Sequence, residues 1–286
     1  MQKPLNKNIF LIILLTVSFH KLISSDSTKF ELLSTQKIFP LIILDPFECQ
    51  LASGIYAFNG NNDLTSDIYS QVNIGVNKPV FSWNSFKRKL ELALEFASYT
   101  QFEIDRIDSR TSLGGLMNND FRIGFAAATS QNSNYIRLRF FHISSHLGDD
   151  YIIRNEIDRP NDRSQNYEQL DLTFLRKINL SFLYAGAGYI ISKYVYRERF
   201  TAQIGGLYVT SKTGRKLHNF IAVDIRILEE ENYNPSIRSA LGINYENDKN
   251  SDLKFWIEYY NGFLPYSTIN AGRISWFGLG MQISLF

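Results

Sequence analysis

Cysteine is almost absent from this chain: Cys49 is the single one in 286 residues. That excludes an internal disulfide framework and a cysteine-built zinc cluster. An excess of one charge is missing too. There are 30 Lys and Arg against 28 Asp and Glu, so the chain has no basic field for nucleic acid. Long hydrophobic runs are scarce. The longest, Ile9 to Phe19, covers 11 residues and contains Thr16 and Ser18, whereas a spanning helix needs about 20. The next run, "IFPLIIL" (38–44), is short and holds Pro40.

What is present begins with an export signal. Lys3 and Lys7 precede the apolar run, and small residues follow at Ser24 and Ser25. This layout predicts a secretory signal peptide over residues 1–25. Its removal takes Lys3, Lys7 and Lys21 with it, leaving 27 of the 30 basic residues against the same 28 acidic ones. Residues 26–46 then form an N-terminal periplasmic segment, and 47–286 form the main domain. No Cys lies directly after the run to carry a lipid. Aromatics make up 14% of the chain, a content that fits an apolar exterior with interfacial rings.

From Phe47 onward the hydrophobic period is two. In "FKRKLELALEFAS" (86–98), Leu90, Leu92, Leu94 and Phe96 share one face, opposite Lys87, Lys89, Glu91 and Glu95. "NFIAVDIRILE" (219–229) sets Ile221, Val223, Ile225 and Ile227 against Asp224 and Arg226. About twelve such strands follow, near 47–58, 66–80, 86–98, 121–131, 134–147, 166–178, 180–193, 199–211, 217–229, 236–246, 252–261 and 273–286. Compact polar turns ("SQNSN", "RKIN") alternate with long connections over 99–120 and 148–165. Short turns at one end and long loops at the other predict an all-β protein: a transmembrane antiparallel β-barrel of the bacterial outer membrane. A soluble barrel or sandwich is the competing fold, and alternation alone does not separate the two. The chain ends on Phe286, an outer-membrane-barrel habit, although Phe286 is out of phase with the Phe277–Leu285 stripe.

One stretch, "RLRFFHISSHLGDDY" (137–151), carries chemistry. Ile136, Leu138 and Phe140 form the lipid stripe, and His142, Ser144 and His146 continue it toward a long loop. A bulge at Phe140-Phe141 would instead turn His142 into the lumen. A lipid-facing Ser144 with His142 as its base has the parts for attack on an ester. Asn166 or Glu168, on the next strand, would orient the imidazole. The plainer alternatives are rim residues at the interface and a simple turn at "HLGDD", where Gly148 permits positive φ. A third alternative is a divalent-cation site, calcium for example, made from His146, Asp149 and Asp150 together with His142. No cofactor is firmly implied. The lumen-facing charges, among them Arg122, Arg137, Arg139, Asp171, Asp224 and Arg226, are mixed in sign. That favours a paired network over a selective channel.

The stretch "HIS" (142–144), with "RSQN" (163–166) and the strand count, resembles outer-membrane phospholipase A. That likeness implies a lipid-face His-x-Ser pair with an adjoining Asn. The phospholipase's Ser-Asn-Gly continuation is replaced here by "SHLGDD". Lipid A deacylases that use His-x-Ser with a Glu make Glu168 the analogue. "FRIGF" (121–125), "RLRFFHISSHLGDDYIIR" (137–154) and "NYEQLDL" (166–172) resemble the family called domain of unknown function 1207. That resemblance implies an outer-membrane protein and brings no activity with it. The expected partners are outer-membrane lipids and the barrel-assembly machinery. A narrow pore or a surface scaffold is the non-enzymatic alternative.

Overall fold

The computed structural model describes residues 29–59, 68–85, 88–104, 115–159, 165–192, 197–210, 216–246, 252–265, 269 and 272–284. The expected leader (1–25), Lys87 and Phe286 lie outside them.

Period-two sequence becomes strand almost everywhere it was expected. A short β1 (Lys29–Leu32) comes first, followed by β2 (Leu51–Asn59), β3 (Ile68–Asn84), β4 (Lys89–Ile104) and β5 (Gly115–Gln131). Next come β6 (Asn134–Leu147), β7 (Gln165–Ile178), β8 (Ser181–Ser192) and β9 (Phe200–Thr210). The last are β10 (Leu217–Leu228), β11 (Ser236–Glu246), β12 (Asp252–Phe263) and β13 (Arg273–Ser284). From β2 onward each strand pairs antiparallel with its sequence neighbour, and β13 returns to β2, from Ile283↔Leu51 to Ser275↔Asn59. The result is a closed barrel of twelve strands, β2–β13, which leaves no open edge for aggregation. Among the described residues, no helix is long and apolar enough to cross a membrane.

Two connections differ from expectation. Residues 99–104 and 115–120, assigned to a long loop, extend β4 and β5, because Tyr99, Gln101 and Glu103 keep the inward phase and are buried. After β6 the loop opens with helix α1 (Asp149–Arg154). Gly148, before that helix, has φ −74°, so it is not needed for positive φ. It is needed for space, because a Cβ there would strike the Leu116 carbonyl. In the tight turns β5–β6 and β7–β8, Asn132 and Asn179 take φ of 56° and 58°, left-handed values that Asn tolerates better than most residues.

Alternation sorts the side chains as a membrane barrel requires. On β4, Leu92 is 40% exposed and Phe96 47%, while Glu91 and Glu95 are buried. On β6, Ile136, Leu138 and Phe140 face out, and Arg137, Arg139, Phe141 and Ile143 face in. Exposed rings sit toward both ends: Tyr208 and Tyr245 near the short turns, and Tyr189, Phe200 and Tyr259 nearer the long loops. These positions match the interfacial girdles of outer-membrane barrels.

The lumen is filled, in part by the chain's own N-terminal segment. β1 pairs with β3 below the start of β2, from Lys29↔Asn84 to Leu32↔Phe81. The chain then turns inside, and residues 42–50 are buried. Residues 38–46, expected as part of a periplasmic segment ahead of the barrel, therefore pack within its wall. The same packing delays β2, which begins at Leu51 rather than Phe47. Glu48 takes a bidentate pair from Arg137 (2.8 and 2.9 Å). Asp45 meets Arg139 (3.3 Å) and Arg226 (3.6 Å). Gly75 makes room for this segment: a Cβ there would lie 2.7 Å from the Gln50 nitrogen. Above it Tyr56, Tyr69, Tyr260 and Trp276 stack, with Tyr260 and Trp276 4.0 Å apart, and Tyr151 of α1 packs onto the cluster. An aromatic cap over buried ion pairs leaves no open channel among the described residues.

Candidate active site on the lipid face

The registers of β6 against β5 and β7 run without interruption from Asn134 to Ser145, so no bulge falls at Phe140-Phe141. His142, Ser144 and His146 therefore stay in phase with Ile136, Leu138 and Phe140 and point out of the barrel. From Ile136 to His142 the strand climbs about 20 Å. At the usual barrel tilt that is roughly 15 Å of height within an apolar band of about 25 Å. The polar residues thus begin in the upper part of the band, at the long-loop end.

Cross-strand pairing brings the other candidates beside them. His142 lies opposite Glu168, and Ser144 opposite Asn166. The His142 Nδ1 is 2.9 Å from the Glu168 Oε1, with side chains 39% and 36% exposed. The Ser144 Oγ is 2.8 Å from the Nε2 of His146. The expected direct pair is therefore divided in two: His142 with Glu168, and Ser144 with His146. The physical cause is symmetry of position, since His142 and His146 flank Ser144 two residues away on the same face. Glu168 occupies one nitrogen of His142, and the serine rotamer found here selects His146. Asn166 is exposed beside Ser144, and no hydrogen bond joins it to either histidine among the described residues. A bulge at Glu168/Gln169 puts Ser192 opposite Glu168, whose backbone N–H donates to the Ser192 Oγ at 3.3 Å. Such bulges re-aim side chains near functional sites.

Ser145, the next residue, faces inward and is fully buried, donating to Asp120. Only Ser144 of the two serines can meet lipid.

The alternative cation site is not assembled among the described residues. His146 is turned to Ser144, and the Asp150 Oδ2 accepts the Leu116 backbone N–H at 2.8 Å. Asp149 and Asp150 open the first turn of α1, where carboxylates suit the helix dipole. Among the described residues no three His, Cys, Asp or Glu side chains converge to hold a metal ion. The donor set does not fit calcium, and no chemistry is routed through one.

Two neighbouring features were missed in the sequence. The first is a groove of about 670 Å³ on the outer wall, lined by Leu51, Ile74, Phe96, Phe121 and Ile123 and reaching His142 and Ser144. The second is a polar trio, Ser98 and Thr100 on β4 with Asn119 on β5, one strand from Ser144. The Asn119 Oδ1 accepts from the Ser98 Oγ at 2.8 Å and the Thr100 Oγ1 at 3.3 Å. The usable signal was phase: Ser98 and Thr100 continue the even-numbered stripe of Leu92, Leu94 and Phe96.

The model of the family described as protein of unknown function (DUF1207) matches residues 19–285. The chain belongs to that family. Proteins of low sequence identity share its fold. Outer membrane phospholipase A from Escherichia coli is similar at TM-score 0.55 and 9% identity, over 82% of this chain and 92% of that one. The Salmonella typhi outer membrane phospholipase dimer, solved with bound calcium, gives TM-score 0.57 and 9% identity, over 88% and 94%. At such identity the likeness is one of fold. With the closed barrel, the apolar outer wall and these neighbours, this DUF1207 protein is a bacterial outer-membrane β-barrel, and its outer wall suits contact with lipid. No curated protein matches its sequence significantly.

Proposed function

We propose that this barrel is a serine acyl hydrolase acting on ester-linked chains of outer-membrane lipid, with Ser144 as nucleophile. The observation that carries the reading is the contact of the His142 Nδ1 with the Glu168 Oε1, 2.9 Å, on the lipid face two residues from Ser144. A carboxylate on Nδ1 fixes the tautomer that leaves Nε2 as the acceptor, the polarity a serine triad needs. Residues two apart lie about 7 Å apart along a strand. Rotation of Ser144 about χ1 carries its Oγ from His146 toward His142.

The chemistry then balances. The Ser144 Oγ attacks the ester carbonyl while the His142 Nε2 takes its proton. The tetrahedral adduct collapses as the ester C–O bond breaks, and the imidazolium protonates the departing alcohol. Water attacks the acyl-serine, His142 takes the water's proton and returns it to Ser144, and fatty acid leaves. Glu168 stabilises the imidazolium throughout. The apolar groove beside Ser144 supports the assignment of an acyl chain as the bound group, since the chain need not leave the bilayer to reach the nucleophile.

The lumen opposes the alternative of a pore. Buried ion pairs and an aromatic stack occupy it, and a selective channel needs an open, sign-biased constriction. A surface scaffold has no observation of its own in its favour.

Purified protein in mixed micelles should release fatty acid from phospholipid or lipid A. Ser144→Ala and His142→Ala should each abolish release while the heat-modifiable mobility of the folded barrel is kept. Equal release by all three proteins would end this reading.

A further inference from the structure

Acyl transfer through a tetrahedral intermediate needs a donor aimed at the developing oxyanion, and His142, Glu168 and Ser144 supply none. Resting on the hydrolase reading above, we propose that the side-chain amide of Asn119 is the oxyanion donor, held in place by Ser98 and Thr100.

Strand register sets the geometry. Phe121 lies directly opposite Ser144, and Asn119 directly opposite His146. Asn119 is therefore the outward-facing diagonal neighbour of Ser144 on the adjoining strand. Diagonal neighbours stand about 7–8 Å apart. That gap suits what must lie between them: the serine oxygen, one acyl carbon, its oxygen, and a hydrogen bond of about 2.9 Å.

Orientation follows from hydrogen bonding. Thr100 is opposite Asn119 across the β4–β5 pair, with Ser98 opposite Phe121. Both hydroxyls donate to the Asn119 Oδ1, at 2.8 and 3.3 Å. They hold the carbonyl end of the amide on the β4 side. The Nδ2 is left without a partner among the described residues, and with the carbonyl held by β4 it would face β6, where Ser144 stands. Three polar side chains on a lipid-facing wall would be costly if they only packed. Their mutual bonds lower that cost, and the spare N–H group gives them a purpose.

When the Ser144 Oγ–carbon bond forms, the carbonyl π pair moves onto oxygen, and the Asn119 Nδ2–H donates to it. The pair returns to the carbonyl as the ester C–O bond breaks. A donor fixed before the reaction needs no reorganisation at that moment, and this is where such groups gain their effect. The apolar groove lies below Asn119, so a chain seated over Phe121 and Ile123 would present its carbonyl between Ser144 and the amide.

The test compares wild type, Asn119→Ala, Asn119→Asp and Thr100→Val in detergent-solubilised, heat-modifiable form. Fatty-acid release is measured alongside the affinity of an alkyl trifluoromethyl ketone, which adds Ser144 to give a stable oxyanion. Loss of one donor should lower kcat about 10²-fold with KM little changed. The ketone should weaken by a similar factor in both Asn119 variants. Thr100→Val, which frees one side of the amide, should lower kcat by a smaller factor and leave KM alone. A merely structural role would not weaken ketone and kcat together while sparing KM. Full kcat and unchanged ketone affinity in Asn119→Ala, with Ser144→Ala inactive, would overturn this inference and leave the hydrolase standing. A folded wild type that neither releases fatty acid nor binds the ketone would overturn both.

Discussion

Ser144 sits midway between two imidazoles, and its partner in the structure is the one that no carboxylate hydrogen-bonds among the described residues. The Nε2 of His146 takes the serine contact at 2.8 Å, while the contact of Glu168 is with His142. An imidazole held by a carboxylate is the better base, because the carboxylate stabilises the cation formed on proton transfer. His146→Ala should therefore keep fatty-acid release within a few-fold of wild type, or raise it by freeing the serine. Glu168→Gln should lower kcat roughly 10²-fold or more, since the amide keeps the shape and loses the charge. The reverse ranking would make His146 the base. At this scale the sequence exposed a good deal: the phase of β6 put His142, Ser144 and His146 on one face, and the hairpin put Glu168 beside them. It could not show which imidazole the serine meets, because both lie at the same spacing and a rotamer decides. Asn119 stayed hidden for another reason. Residues 99–120 looked like loop, so no facing was assigned to it.

At the scale of elements, the segment ahead of β2 holds the lumen. Its acidic residues Asp45 and Glu48 answer inward arginines on β6 and β10, and Asp171 of the wall meets one of them, Arg139, at 3.1 Å. Arg137→Ala would leave the buried Glu48 with only the longer contact to Arg139, 4.0 Å, and breaking one side of a buried pair costs about 3–5 kcal/mol. Urea unfolding, followed by the heat-modifiable band, should show a clearly lowered midpoint. A double change, Arg137→Met with Glu48→Gln, should recover most of the loss, because it leaves no uncompensated charge. An unchanged midpoint in the single variant would mean that Glu48 is not buried against Arg137. The strands themselves were legible because their signal is local and repeats every two residues. The lumen segment was not: its partners lie 89 residues away for Glu48 and 94 for Asp45, and a short apolar run containing Pro40 gives no local sign of being threaded into a barrel.

For the whole molecule, a closed wall around a filled interior predicts low conductance. Planar-bilayer recording of wild type should give small or no steady currents. Replacing both Asp45 and Glu48 with Ala, which unties the segment from the arginines, should produce larger, flickering currents. Large stable openings in wild type would make the pore the leading function. The proposed function lies instead on the outer wall, where Ser144 borders the apolar groove. The most direct measurement is covalent. The folded protein is reacted in micelles with an alkyl fluorophosphonate and digested, and the peptide carrying Ser144 is weighed by mass spectrometry. The account predicts a phosphonyl adduct on Ser144, slowed greatly in His142→Ala and absent in Ser144→Ala. A folded barrel whose Ser144 stays unmodified would contradict it.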